Sequence, residues 1–120
     1  MTMKIEAIIR EEKLGDVKDA LRKIGIKGMN VYEIQGHGRE GGITLIGRAG
    51  SYQIDMLPRM QINIILSDHN VEKTVNAITV AARTGELGDG KIFISNIEEV
   101  YRIRNGEKGP EALFIKGEEV

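Results

Sequence analysis

Arg59-Met60-Gln61-Ile62-Asn63-Ile64-Ile65-Leu66-Ser67 is the stretch from which the fold can be read. Met60, Ile62, Ile64 and Leu66 recur at every second position, with Gln61 and Asn63 between them. That period belongs to a β-strand with one face turned into a core. Ile65 is apolar on the otherwise polar face. Toward the N-terminus, Lys4 to Arg10 repeats the pattern: Ile5, Ala7 and Ile9 alternate with Glu6 and Ile8, and Ile8 is again apolar out of phase. Leu14 to Ile24 changes to helical spacing, with Val17, Leu21 and Ile24 on one face and Leu14 one turn earlier. Gly25 suits the helix end. Met29 to Gln35 reads as a second strand with Val31 and Ile34 turned inward. On the C-terminal side of the opening stretch, Ser67 or Asp68 can cap a helix whose first turns hold Glu72. Val71, Val75, Ile78 and Ala82 form its buried stripe. Lys91 to Ser95 is another strand, and Val100 to Arg104 a short extended piece.

The order is strand, helix, strand, long loop, strand, helix, strand. This is the βαββαβ, ferredoxin-like arrangement of an α+β domain, with an antiparallel sheet and both helices on one face. Ile8 and Ile65 then lie on the opposite sheet face. Apolar residues there predict its burial against other copies of the chain in a symmetric homo-oligomer. The 120 residues fit a single domain, 1–120. With 41% apolar residues, only 4% aromatics and no Trp, the core must be aliphatic.

Composition also narrows function. A net charge of −1 disfavours a general nucleic-acid surface. An RNA-recognition sheet would need exposed aromatics where these strands carry Ile, Met, Gln and Asn. The absence of cysteine excludes disulfides and thiolate metal sites. His37 and His69 lack metal-ligand spacing. No nucleophile–base pair or paired carboxylates are visible, so no enzymatic activity is expected. No signal peptide or membrane span is visible, and a soluble cytoplasmic protein is the expectation.

Two segments carry chemistry. Gly36 to about Leu57 breaks all periodicity and is rich in glycine; a loop of that length in a small domain is usually functional. Thr84-Gly85-Glu86-Leu87-Gly88-Asp89-Gly90-Lys91-Ile92-Phe93-Ile94 joins three glycines and a lysine to a strand. Glycines allow backbone N–H groups to approach an anion, and lysine adds a point charge. The spacing is not that of a Walker loop. A phosphate cradle and a plain Gly-Asp-Gly turn both fit these residues.

Taken together, the segments closely resemble the PII signal-transduction, or nitrogen-regulatory, family. Lys4 to Arg10 resembles its first strand, and Gly25-Ile26-Lys27-Gly28-Met29 its first helix exit. Gly36-His37-Gly38-Arg39 resembles the entry to its T-loop, and Asp55-Met56-Leu57-Pro58-Arg59 the exit. Ala82 to Phe93 is similar to its C-terminal signature without a gap, and Val100-Tyr101-Arg102-Ile103-Arg104 to the element after it. The resemblance implies a homotrimer that binds ATP or ADP in clefts between neighbouring subunits, in most members senses 2-oxoglutarate as well, and catalyses nothing. It further implies a T-loop, about residues 37–56, that docks on an ammonium transporter, an enzyme or a regulator.

The phosphate loop of the family falls on Gly88, Asp89, Gly90 and Lys91, within a glycine loop at 84–91. Gly38 and Arg39 join the nucleotide site from the T-loop entry, Arg39 as a phosphate contact. Arg102 and Arg104 match a basic pair reaching the phosphates from the neighbouring subunit; two residues apart on a strand, they would point the same way. Ile8, Met29, Gly36 and Ile65 match positions around the adenine. Some positions depart from the family. Glu40 replaces a glutamine that helps hold Mg²⁺ and 2-oxoglutarate; a carboxylate suits Mg²⁺ but repels a dianion. Arg59 replaces a lysine that meets that dianion. Asn63 replaces a glutamate and Asn30 a threonine. Nucleotide binding is therefore expected to persist, with 2-oxoglutarate sensing weakened or altered. Tyr52 aligns with the tyrosine that the family uridylylates, but in an altered context; it is either a modification site or a contact residue of the loop. An alternative is a divergent member that senses adenine nucleotides without 2-oxoglutarate and serves a specialised partner such as nitrogenase or a carbon transporter. In the tail, 105–120, Leu113-Phe114-Ile115 could pack as a short strand or stay frayed.

Overall fold

A computed structural model describes residues 1–37, 43–47, 50–54 and 56–113, with 43–47 and 50–54 described by their backbone alone. The chain runs β1 (Thr2–Arg10), α1 (Leu14–Lys23), β2 (Asn30–Gly36), β3 (Ile43–Gly47), β4 (Gly50–Ile54), β5 (Leu57–Ser67), α2 (Val71–Ala82) and β6 (Lys91–Asn96). Single 3-10 turns, Glu11–Lys13 and Asp68–Asn70, lead into the two helices, and a third spans Pro110–Leu113. The main sheet has the order β2-β5-β1-β6, every neighbour antiparallel. This is the predicted ferredoxin-like α+β fold.

Register explains the core. Ile5 sits between Ile64 and Ile94, and Ala7 between Ile62 and Ile92. These residues face the helices, and Ile5, Ala7, Ile62 and Ile64 are buried together with Val17 and Leu21 of α1 and Ile78 of α2. The intervening rows face the other way. Glu6 lies between Asn63 and Phe93, and Ile8 between Gln61 and Lys91. That face has a polar centre: Gln61 Nε2 donates to Glu6 Oε1 at 3.1 Å and to Asn63 Oδ1 at 3.2 Å. Ile8 and Ile65 are half-buried on it, while Tyr32 and Phe93 are 47% and 49% exposed.

Several expectations are corrected. Val31 and Ile34 do not share an inward face: Val31 pairs with Ile62 and Ile34 with Arg59, on opposite sides of an outer strand that only one neighbour covers. In α2 the buried positions are Thr74, Ile78 and Ala82, with Val71 and Val75 half-buried beside them. Thr74 is invisible to apolar periodicity. Its hydroxyl is satisfied within the helix by donating to Asn70 O at 2.7 Å, so burial costs little. Neither Ser67 nor Asp68 caps α2; the 3-10 turn intervenes, and Asn70 takes the cap position without a side-chain bond. The segment 36–57 is not loop throughout: β3 and β4 pair as a hairpin, with Gly47 opposite Gly50 and Leu45 opposite Tyr52. Val100 to Arg104 is not a strand. Tyr101 makes an isolated bridge with Lys108, and the chain reverses between them through Gly106 N–H donating to Arg102 O at 2.8 Å. The strand-based parity of Arg102 and Arg104 is lost with it. In the tail, Pro110–Leu113 is a 3-10 turn; Phe114 and Ile115 lie outside the described residues.

Candidate functional site

The loop between α2 and β6 is built around one carboxylate. Asp89 Oδ2 accepts from the backbone N–H groups of Thr84 and Gly85, both at 2.9 Å. Asp89 Oδ1 accepts from the Thr84 hydroxyl and from Arg10 Nε, the latter at 3.0 Å. Arg10 Nη2 also donates to the Leu87 carbonyl at 2.8 Å. Thr84 Oγ1 in turn accepts from the Glu86 N–H at 3.1 Å. The Thr84 hydroxyl and amide, followed by Arg10 and the Gly85 amide, hold the Asp89 carboxyl well below the usual carboxylate range, against the opposing effect of partial burial. The side chain of Asp89 is thus ionised and occupied by donors from the loop and from β1.

Gly88 and Gly90 both have positive φ, at 99° and 100°. For Gly90 a second constraint applies: a Cβ would lie 1.7 Å from the Ile8 carbonyl oxygen. Only glycine brings the loop this close to β1. The loop and the strands then enclose a cleft of about 690 Å³, lined by Ile8, Gly36, His37, Arg59, Phe93 and the run Glu86 to Lys91. Its walls join apolar side chains to the cationic Arg59 and Lys91, a combination suited to a ligand with a flat apolar part and an anionic part.

One protomer therefore brings together Ile8, Gly36, Gly88, Asp89, Gly90 and Lys91, along with Arg59. Met29 and Ile65 lie elsewhere, beside a cavity of about 320 Å³ that also includes Asn30, Asn63 and Leu113. Arg102 donates from Nη1 to Glu107 Oε2 at 2.7 Å and from Nη2 to Glu111 O at 3.0 Å; Arg104 is exposed in the adjoining turn. Gly38, Arg39 and Glu40 lie outside the described residues, and Tyr52 is described only as backbone on β4. Sequence reasoning missed Arg10, Leu87 and Phe93. Strand parity put Phe93 on the Lys91 face, a signal that was there to use. Nothing in the sequence links Arg10 to Asp89, 79 positions away. Among the described residues no cluster of His, Asp and Glu could hold a metal ion, and no described helix is long and apolar enough to cross a membrane.

Comparison with known proteins agrees with this architecture. The family model described as "Nitrogen regulatory protein P-II" matches residues 2–107. The nitrogen regulatory protein P-II of Rhizobium meliloti (strain 1021) is 49% identical over 110 residues, covering 92% of this chain and 98% of that protein. That of Azospirillum brasilense is 50% identical with the same coverage. The nitrogen regulatory protein P-II 2 of Methanothermobacter thermautotrophicus (strain ATCC 29096 / DSM 1053 / JCM 10044 / NBRC 100330 / Delta H) is 50% identical over 109 residues, covering 91% and 95%. The crystal structure of Arabidopsis thaliana PII bound to citrate superposes with a TM-score of 0.75 at 35% identity, covering 92% of this chain and 91% of that one. The chain belongs to the nitrogen regulatory protein P-II family, a family of regulatory signalling proteins and not of enzymes.

Proposed function

We propose that this protein is a cytoplasmic homotrimeric sensor that binds ATP or ADP between subunits and transmits the nucleotide state to a target protein through residues 37–56. The observation that carries this reading is the braced glycine loop: Gly90 packs without a Cβ on the Ile8 carbonyl and Gly88 and Lys91 line one cleft with Ile8 and Gly36. Backbone N–H groups and the Lys91 ammonium supply the donors and charge that phosphates need. Ile8, Gly36 and Phe93 supply surface for the base. Met29 and Ile65 belong to a separate cavity of the same protomer. A ring of three explains this division, with one subunit's loop facing the next subunit's Met29 and Ile65 and with Arg102 and Arg104 contributed across the interface. Half-buried Ile8 and Ile65 on the helix-free sheet face support such assembly. Arabidopsis thaliana PII was solved with citrate bound, and a small carboxylate ligand in a relative accords with an anion-binding site here.

Arg59 lines the same cleft, so a second, dianionic ligand would meet it beside the nucleotide. With Glu40 three positions beyond the cleft residue His37, 2-oxoglutarate would bind there weakly or not at all, and Mg²⁺, if held by Glu40, accompanies ATP. Residues 43–54 carry the surface a target protein reads, with Tyr52 on β4 either modified or in contact with the target.

Calorimetric titration with ATP and with ADP, in Mg²⁺ and with or without 2-oxoglutarate, tests this. Nucleotide binding unaffected by 2-oxoglutarate is the expected result and marks a sensor of adenylate state serving a specialised partner. Marked tightening by 2-oxoglutarate overturns the weakened-sensing part alone. No binding of either nucleotide overturns the whole proposal.

A further inference from the structure

A loop with positive φ at Gly85, Gly88 and Gly90 loses much conformational freedom when ordered. Asp89 closes it on itself, through Thr84 and Gly85. That closure does not orient the loop relative to the sheet. Among the described residues, the side chain outside the loop that hydrogen-bonds into it is Arg10, at the end of β1 and directly paired with Arg59. It does so twice, to Asp89 and to Leu87 O, with its own side chain 20% exposed. Such charge-assisted, partly shielded bonds from a planar fork define an orientation as well as a distance.

From this geometry we infer that Arg10 is a positioning residue of the phosphate loop: it turns the loop's anion-facing amide and neutralises the carboxylate behind it. The inference rests on the nucleotide reading above. Its first half follows from peptide planarity. In a trans peptide the carbonyl and the next N–H point in opposite directions, and the described chain has no cis peptide. By holding Leu87 O toward β1, Arg10 sets the Gly88 N–H pointing away from it. Released, the Leu87–Gly88 peptide is free to rotate and present its carbonyl to an anion. The second half is electrostatic. Asp89 sits in a loop meant to receive phosphates, and its negative charge opposes theirs. The Arg10 guanidinium, 3.0 Å away, offsets it. A lysine carries the charge but not the fork, so it would serve the second role and not the first.

The two roles predict a graded signature. In Arg10→Gln, affinity for ATP should fall about ten-fold or more, as expected for loss of a charge-assisted contact network. The loss should shrink from ATP to ADP to AMP, and adenosine, which has no phosphate, should bind as it does to the wild type. Arg10→Lys should recover part of the ATP affinity and remain below wild type. Hydrogen exchange of residues 84–90 without nucleotide should quicken in Arg10→Gln by more than that of the core amides of β1 and β5. Equal ATP affinity in wild type and Arg10→Gln overturns the role of Arg10 and leaves the nucleotide reading standing. Equal losses for adenosine and ATP also overturn it, since that is the mark of general loosening. Full recovery by Arg10→Lys removes the orienting half. A wild-type protein that binds no ATP overturns the nucleotide reading and the role of Arg10 with it, whatever the variants do.

Discussion

At the scale of the residue, the site depends on atoms that are missing as much as on those present. Gly90 and Gly85 both have positive φ, but only Gly90 abuts backbone; a Cβ on Gly85 would meet nothing within 4 Å. Gly85→Ala should therefore cost only the conformational strain, about 1–2 kcal/mol. Gly90→Ala must displace the loop from β1 and should cost about 3 kcal/mol, together with nucleotide binding. Chemical denaturation of the two variants side by side measures the difference. Asp89 makes a second prediction, in pH. Its carboxyl is lower in the folded protein than in the unfolded chain. The charged form is thus favoured by folding, and its contribution is complete at neutral pH. It is lost as the pH falls through the unfolded value of about 3.9 and below. Asp89→Asn, which would turn an amide toward the Thr84 and Gly85 N–H groups or lose the pairing with Arg10, should be less stable at pH 7. The gap between it and wild type should narrow as the pH drops from 5 toward 3, as read from melting curves.

At the scale of the element, β5 shows one strand performing two tasks. Ile62 is fully buried against the helices, whereas Ile65 is half-buried on the other face. The β3–β4 hairpin shows the reverse, an element apart from the main sheet: it forms its own two-stranded sheet. An isolated hairpin contributes little stability by itself. Replacing residues 43–54 with a short Gly-Ser linker should leave the melting temperature of the body within a few degrees, about 1 kcal/mol by the usual conversion. It should also abolish regulation of the target. A large drop in melting temperature would show that the hairpin supports the body.

At the scale of the whole molecule, the open sheet face matters most. In a monomer Ile65 is half-buried, and Ile65→Asp would cost only the contacts it makes within its own subunit. In a trimer it would place a charge in an interface without a partner, at a cost of several kcal/mol. Sedimentation should show wild type as a trimer and Ile65→Asp as a smaller species with weakened ATP binding, since each proposed cleft needs two subunits. An Ile65→Asp protein that still sediments as a trimer would move the interface to another face.

The sequence by itself determined the strand and helix order of the four-stranded sheet and its two helices, the core face of β1 and β5, and the glycine loop. Each of these is written in local periodicity or in residue types with narrow backbone preferences. Met60, Ile62, Ile64 and Leu66 alternate because a strand alternates, and Gly88 and Gly90 mark positive φ because few other residues tolerate it. Only the tertiary structure decided the rest. Val31 and Ile34 part to opposite faces because β2 lies at the edge of the sheet. Thr74 enters the core because its hydroxyl finds a carbonyl one turn back. Arg102 spends its guanidinium on Glu107 and the Glu111 backbone rather than along a strand. Arg10 meets Asp89 because β1 pairs with β6 and carries the loop's far end beside its own. Contacts between residues distant in sequence depend on packing geometry, and no local pattern encodes which two will meet.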